Sequence, residues 1–175
     1  VQIYVPEGIN DVNIQLGDRV RVTGQQEIYR TTVEIIPDDY ATDIEILAAN
    51  EATAEPPLIP LADLTSESEL IGRLITIQGT ATRIEEFTYS YEVDLTDDDG
   101  NTVRIYLDKL TEATTEPLTL GENYQITGIA ELYDGALQLQ PRLQTDFAQI
   151  FPPVLRLEVD APITAADGFI PYNLP

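Results

Sequence analysis

The chain has 175 residues, of which 31 are acidic and 9 basic, and it contains no cysteine, histidine, methionine or tryptophan. A chain of this length can hold one or two small domains with hydrophobic cores, and its 43% of hydrophobic residues excludes a disordered acidic tail. The missing residue types exclude disulfides, catalysis by thiolate or imidazole, and zinc sites built from cysteine or histidine.

The first 48 residues predict a small β unit. Four segments alternate apolar and polar residues, which is the period of a strand with one buried face. These segments are Val1–Val5, Leu16–Tyr29, Thr32–Ile36 and Asp43–Leu47.

Residues 49–65 contain three prolines within five positions. Proline disrupts regular ladders and favours extended chain, so this stretch predicts a connector between two units. Residues 66–150 then predict a second, complete β unit. Its predicted strands are Leu74–Ile84, Tyr89–Thr96, Val103–Leu107, residues 120–133 and Leu137–Pro141.

The two units repeat one plan. Residues 16–37 match residues 120–141 without a gap, and Val1–Val5 resembles Val103–Leu107. The aligned pairs include Gly24 with Gly128, Tyr29 with Tyr133 and Pro37 with Pro141. Glycine, tyrosine and proline each match their own type in a single alignment. The pattern therefore indicates an internal duplication rather than two unrelated amphipathic strands.

The strand order of the second unit suits a small Greek-key barrel. The chain resembles the OB-fold (oligonucleotide/oligosaccharide-binding) modules of secreted bacterial nucleases and large bacterial surface proteins. The resemblance rests on Gly72–Gly79, Val103–Leu107 and Gly121–Gly128, and on the partial copy before them. The resemblance implies an all-β chain of tandem OB-like barrels, the first incomplete, followed by an extended C-terminal strand. Fold alone does not assign a function.

The first unit has counterparts of the third, fourth and fifth barrel strands only. Three explanations remain open: the missing strands lie upstream in a larger protein, a neighbouring subunit supplies them, or the sheet is smaller than the family's. Unpaired edges invite pairing with another chain.

The sequence predicts that residues 151–175 are an extended tail, which begins a further domain or acts as a donor strand. The residues that would pair in a strand exchange are Val1, Ile3, Val5, Leu155, Leu157 and Val159.

The sequence offers two candidate binding sites, one for nucleic acid and one for calcium, and each also has a purely structural interpretation. Tyr89, Tyr91, Arg104 and Tyr106 would form a ligand face for nucleic acid, but acidic residues surround them and the net charge of −22 repels phosphate. We therefore expect no nucleic-acid binding and assign these tyrosines to the barrel wall and core.

The acidic turn at 97–101 is the second candidate. Asp97, Asp99 and Asn101 would supply oxygen ligands to calcium, although the turn lacks the distal glutamate of an EF-hand. A solvated acidic turn is the simpler interpretation. We expect no other cofactor.

No residue set predicts catalysis, so we expect a protein that is not an enzyme. A chain that begins at Val1 without methionine suggests a mature product or an excised segment. The sequence predicts an extracellular or cell-surface structural module that interacts with other copies of itself or with neighbouring domains. The alternative is an accessory module that binds nucleic acid or glycan for a secreted enzyme.

Overall fold

The computed structural model describes residues 2–5, 13–29, 31–51, 55–111 and 113–151. These residues form strands and loops, with two 3-10 turns at Leu61–Asp63 and Gln144–Asp146 and no α-helix. The strands are β1 (Gln2–Ile3), β2 (Arg19–Val22), β3 (Gln25–Tyr29), β4 (Thr32–Ile36), β5 (Ile44–Ala48), β6 (Leu74–Glu86), β7 (Ser90–Thr96), β8 (Thr102–Asp108), β9 (Asn123–Tyr133), β10 (Ala136–Gln140) and β11 (Phe147–Gln149). Within this part of the chain, no helix has the length and apolar character needed to cross a membrane.

Strands β6 to β10 form a closed barrel. β6 pairs antiparallel with β7 and with the first part of β9, and β7 pairs antiparallel with β8. β10 closes the ring, because it pairs parallel with β8 and antiparallel with the second part of β9. The predicted all-β, OB-like barrel is confirmed, and β11 extends it along the other edge of β9.

The barrel core follows the alternation of the strands. Val93 and Leu95 of β7 and Ile105 and Leu107 of β8 point inward and are fully buried. Ile126 of β9 joins them in one hydrophobic cluster. Side chains at the intervening positions lie on the outer face, as the period of two requires.

The end of the proline-rich stretch belongs to the barrel. The amide of Ile59 donates a 2.8 Å hydrogen bond to the carbonyl of Thr76, whose own amide donates to Pro57 at 2.9 Å. Leu61 is 4% exposed and lies in the core cluster. Residues 57–61 of the predicted connector therefore pack against the barrel.

The first unit repeats the strand pairing of the second. β1 is parallel to β4 as β8 is to β10, and β5 pairs with β2 as β11 pairs with β9. In the β3–β4 hairpin Tyr29 faces Thr32, and in the β9–β10 hairpin Tyr133 faces Ala136. The register predicted from the sequence repeat is the register that the strands adopt.

The repeated glycine has a steric cause. A Cβ atom added to Gly128 would lie 2.8 Å from the backbone carbonyl oxygen of Gln140. A Cβ added to Gly24 would meet the carbonyl of Ile36 even more closely. The crossing of the long strand over its hairpin partner leaves no room for a side chain in either unit.

Candidate functional site

In the described residues, the first unit has no counterpart of the strands that close the second. In the barrel, β6 covers one edge of β9 and β7 covers one edge of β8. Among the described residues, no strand takes those places beside β2 and β1 in the first unit. Two backbone edges, at Arg19–Val22 and at Gln2–Ile3, therefore have no strand partner within the described part of the chain. We call this open side, between β1 and β2, the acceptor face.

Burial shows the consequence of the missing strands. Val5 is 41% exposed, whereas its counterpart Leu107 is fully buried. Val22 is only half-buried, whereas its counterpart Ile126 is fully buried. Across the described chain, the buried hydrophobic cluster begins at Leu61 and takes no residue from the first unit. The acceptor face is thus the inner wall of an unfinished barrel.

The predicted strand-pairing residues divide between described and undescribed parts of the chain. Ile3 lies in β1, opposite Ile35 of β4, and Val5 follows it with its side chain partly exposed. Val1, Leu155, Leu157 and Val159 lie outside the described residues. Strand exchange stays a prediction.

The structure brings together only two of the four residues of the predicted ligand face. Arg104 and Tyr106 alternate on the outer face of β8, where Arg104 lies 3.4 Å from a carboxylate oxygen of Glu92 and Tyr106 lines the cleft between the two units. Tyr91 packs against the core, and Tyr89 is 79% exposed.

An ion-pair network occupies the outer face of β6 and β7. Arg83 donates two hydrogen bonds to Asp94, at 2.6 and 2.9 Å. It also donates to Glu85 at 2.6 Å and to Glu92 at 3.2 Å. Donation to the Asp94 carboxylate raises the pKa of the Arg83 guanidinium above its ordinary value, against the opposing effect of burial. Because Arg83 and Arg104 both pair with local carboxylates, this face offers no free positive charge to a phosphate backbone.

The acidic turn is held by its own hydrogen bonds. Asp97 accepts from the side-chain amide of Asn101 at 2.9 and 3.2 Å and from two backbone amides at 2.8 and 3.1 Å. The Asn101 side chain is the largest cause that lowers the pKa of Asp97. Asn101 thus presents its nitrogen, rather than its oxygen, to Asp97. No cluster of three acids suited to a metal ion occurs in the described part of the chain, and calcium at Asp99 and its neighbours stays a prediction.

A cleft of about 470 Å³ lies between the two units, and the sequence pattern does not predict it. Equivalent residues of the two units line it, including the pairs Tyr4 with Tyr106 and Glu27 with Glu131. The units meet beside it where the Thr32 hydroxyl donates a 2.7 Å hydrogen bond to the Leu132 carbonyl. The duplication is the feature of the sequence from which this cleft could have been predicted. Two copies that meet through matching surfaces place equivalent residues opposite each other.

Glu34 stands out among the residues of this cleft. It is 7% exposed and lies directly opposite Glu27 in the β3–β4 pairing. The second unit has Gln138 at the matching position, and its amide donates a 3.0 Å hydrogen bond to Glu131. The first unit thus places two carboxylates where the second places an amide and a carboxylate.

The fold and these surfaces define an all-β protein with one closed OB-like barrel and one unfinished copy of it. No family model and no curated protein matches the sequence. Among solved structures, the chain is similar to the OBody AM1L10 bound to hen egg-white lysozyme, with 17% identity, a TM-score of 0.45 and coverage of 57% of this chain and 98% of that one.

Two further solved structures are similar to part of the chain. One is the S. pombe Stn1-ten1 complex, with 14% identity, a TM-score of 0.41 and coverage of 46% of this chain and 60% of that one. The other is a putative aspartyl-tRNA synthetase from Leishmania major Friedlin, with 10% identity, a TM-score of 0.46 and coverage of 65% of this chain and 24% of that one.

Proposed function

We propose that this protein is a non-catalytic structural module of an extracellular or cell-surface assembly, in which strand pairing with other copies completes the first barrel. The observation that carries the proposal is the acceptor face, where no described strand gives two strand edges and an apolar wall the cover that β6 and β7 give the second unit. The likeness to modules of bacterial surface proteins and secreted nucleases is part of the proposal.

The energetics favour an incoming strand. Ile3, Val5, Val20, Val22 and Ile35 are each exposed or only half-buried at positions that the second unit buries. Full burial of an aliphatic side chain contributes about 1.5–3 kcal/mol, so completing the burial of these five supports association by about 4–7 kcal/mol before ordering costs. Backbone hydrogen bonds along the free edges would add specificity in register.

The donor that we propose is the tail of a second copy. Leu155, Leu157 and Val159 alternate with polar residues, the pattern of a strand with one apolar face. Such a strand would place its apolar side chains against the acceptor face and its charged side chains in solvent. The acidic surface adds a condition, because a chain with a net charge of −22 repels its copies unless salt or divalent cations screen it.

Sedimentation velocity of the full chain over a range of concentrations tests the proposal, at about 0.15 M salt with and without calcium. We expect concentration-dependent association that is weakened by Val22→Lys on the acceptor face and by Leu157→Asp on the donor. Thr42→Lys is the matched control, because it adds the same charge to an exposed turn of the same unit.

A chain that stays monomeric at every concentration would contradict the proposal. So would association that Val22→Lys and Leu157→Asp leave unchanged. Retention of a labelled oligonucleotide or glycan by a monomer would favour the alternative, an accessory binding module of a secreted enzyme.

A further inference from the structure

The cleft between the units is lined by acids and aromatic rings from both copies. Tyr4, Tyr29, Tyr106 and Tyr133 contribute rings to its wall. Its volume of about 470 Å³ is within the range of pockets that enclose small molecules. The cleft therefore has the size of a ligand site, and its wall combines tyrosine rings with acidic side chains.

The charge of the lining has one sign. Glu27, Glu34, Asp108 and Glu131 supply carboxylates, and no lysine or arginine is among the described residues that line the cleft. Burial, followed by the charge of nearby Asp108, raises the pKa of Tyr106 above its ordinary value. The tyrosine hydroxyl accordingly stays protonated in a negative environment.

Glu34 is the residue that points to a ligand. It is more than nine-tenths buried at 7% exposure, it lines the cleft, and no hydrogen bond or ion pair joins it to another described residue. No fully enclosed side-chain oxygen in the described residues lacks a hydrogen-bond partner, so the Glu34 oxygens are reachable from the cleft. A carboxylate that is mostly removed from water is stabilised by an opposite charge beside it. Gln138, its counterpart, shows that this position of the fold accepts an amide without loss of the sheet. A cation in the cleft would supply the partner that Glu34 lacks.

The rings indicate what kind of cation would bind. Aromatic faces attract alkylammonium and guanidinium groups, whereas a hard metal ion prefers a set of oxygen ligands around it. Across the described chain, no three acids are arranged to hold a metal ion. The combination of a buried carboxylate, flanking carboxylates and tyrosine faces suits an organic cation instead.

We propose that this cleft binds a small organic cation whose ammonium group pairs with Glu34 and makes cation–π contacts with the tyrosine rings. A free diamine and a lysine side chain of a partner share this chemistry. The site goes beyond the proposed assembly role, because it lies on the outer faces of β4 and β10 rather than on the acceptor face.

Isothermal titration of the full chain tests the site with three probes: 1,4-diaminobutane, Nα-acetyl-lysine amide and calcium chloride. We expect one diamine to bind per chain, and Glu34→Gln to weaken that binding by about tenfold or more, the usual effect of losing a charged partner. Glu67→Gln removes the same charge from an exposed turn outside the cleft and should leave binding unchanged. Tyr4→Leu, which removes a ring and keeps every carboxylate, should weaken binding by about threefold or more.

The probes distinguish the source of the cation. Lysine amide binding as tightly as the diamine indicates a side chain presented by a partner, and tighter diamine binding indicates a free polyamine. The proposal is overturned if neither amine binds, if Glu34→Gln and Glu67→Gln behave alike, or if only calcium binds. Circular dichroism of each variant before titration shows that the sheet is retained.

Discussion

Truncating Ile35 and Leu139 to alanine compares the open and closed units at matching positions. Both side chains have four carbons and both lie at the same place in the repeated hairpin. Leu139 is fully buried, and Ile35 is only half-buried. The two truncations remove the same number of carbons, so the difference between them measures how far each unit is closed.

The magnitudes follow from burial. Leu139→Ala removes three carbons at about 0.8 kcal/mol each and leaves a cavity, so it should lower the free energy of unfolding of the second unit by about 3 kcal/mol. Ile35→Ala removes side-chain atoms that are half covered and leaves an open hollow. It should cost the first unit about 1 kcal/mol in the monomer.

Native-state hydrogen exchange, followed by mass spectrometry on peptides from each unit, measures both costs in one chain. Leu139→Ala should accelerate exchange in the second unit about 100-fold, and Ile35→Ala should accelerate exchange in the first unit about fivefold at low concentration. At concentrations where copies associate, the effect of Ile35→Ala should grow, because a donated strand then covers the site. Equal costs for the two truncations in the monomer would refute the view that the first unit is open.

Three further predictions concern single residues of the barrel. Arg83→Ala should lower the free energy of unfolding by about 1–3 kcal/mol in urea titrations, because it leaves partly buried carboxylates without their partner, whereas Arg21→Ala, which breaks an exposed pair, should cost less than about 0.5 kcal/mol. Gly128→Ala should cost about 2–4 kcal/mol by the same measurement, because the added methyl group collides with backbone. Burial raises the pKa of Asp146, but hydrogen bonds from the side chain and backbone of Arg142 outweigh it, so the net pKa lies below 3.8. Asp146 therefore stabilises the fold at neutral pH and loses this effect as the pH falls through the lowered value. The stability difference between the native chain and Asp146→Asn should shrink as the pH falls from about 5 toward the lowered pKa, and a difference that does not change with pH would contradict this assignment.

Much of the fold follows from the sequence, because strand period and glycine spacing are local signals. The gapless match of residues 16–37 with 120–141, which pairs Tyr29 with Tyr133, predicts that the two hairpins are alike, and their registers agree. The number of strands and the lengths of their connections predict the barrel. The alternation also placed Tyr91 on the same side as Val93 and Leu95. The structure accordingly packs Tyr91 against the core, which agrees with its assignment to the barrel wall and core rather than to a ligand face.

Other features depend on contacts that no local pattern contains. Leu61 enters the core from a proline-rich stretch, and only its docking beside Thr76 shows that the stretch belongs to the barrel. The cleft depends on how the two copies meet at Thr32 and Leu132. Glu34 looks in the sequence like any polar residue of an exposed strand face. Its burial follows from that meeting, which sequence periodicity does not specify.

The most direct test of the central claim supplies the missing strands within one chain. A copy of residues 66–102, which contains β6, β7 and the turn that leads into β8, would be placed immediately before Val1. In the second unit, β7 pairs with β8 and β6 pairs with β9. The repeat therefore predicts that the added copy of β7 pairs with β1 and the added copy of β6 pairs with β2.

Sedimentation velocity of this extended chain then measures whether the acceptor face is the site of association. We predict a monomer at concentrations where the native chain associates, with hydrogen exchange of β2 slowed to the level of β9. An extended chain that associates as before, or whose β2 amides exchange as fast as in the native monomer, would contradict the account.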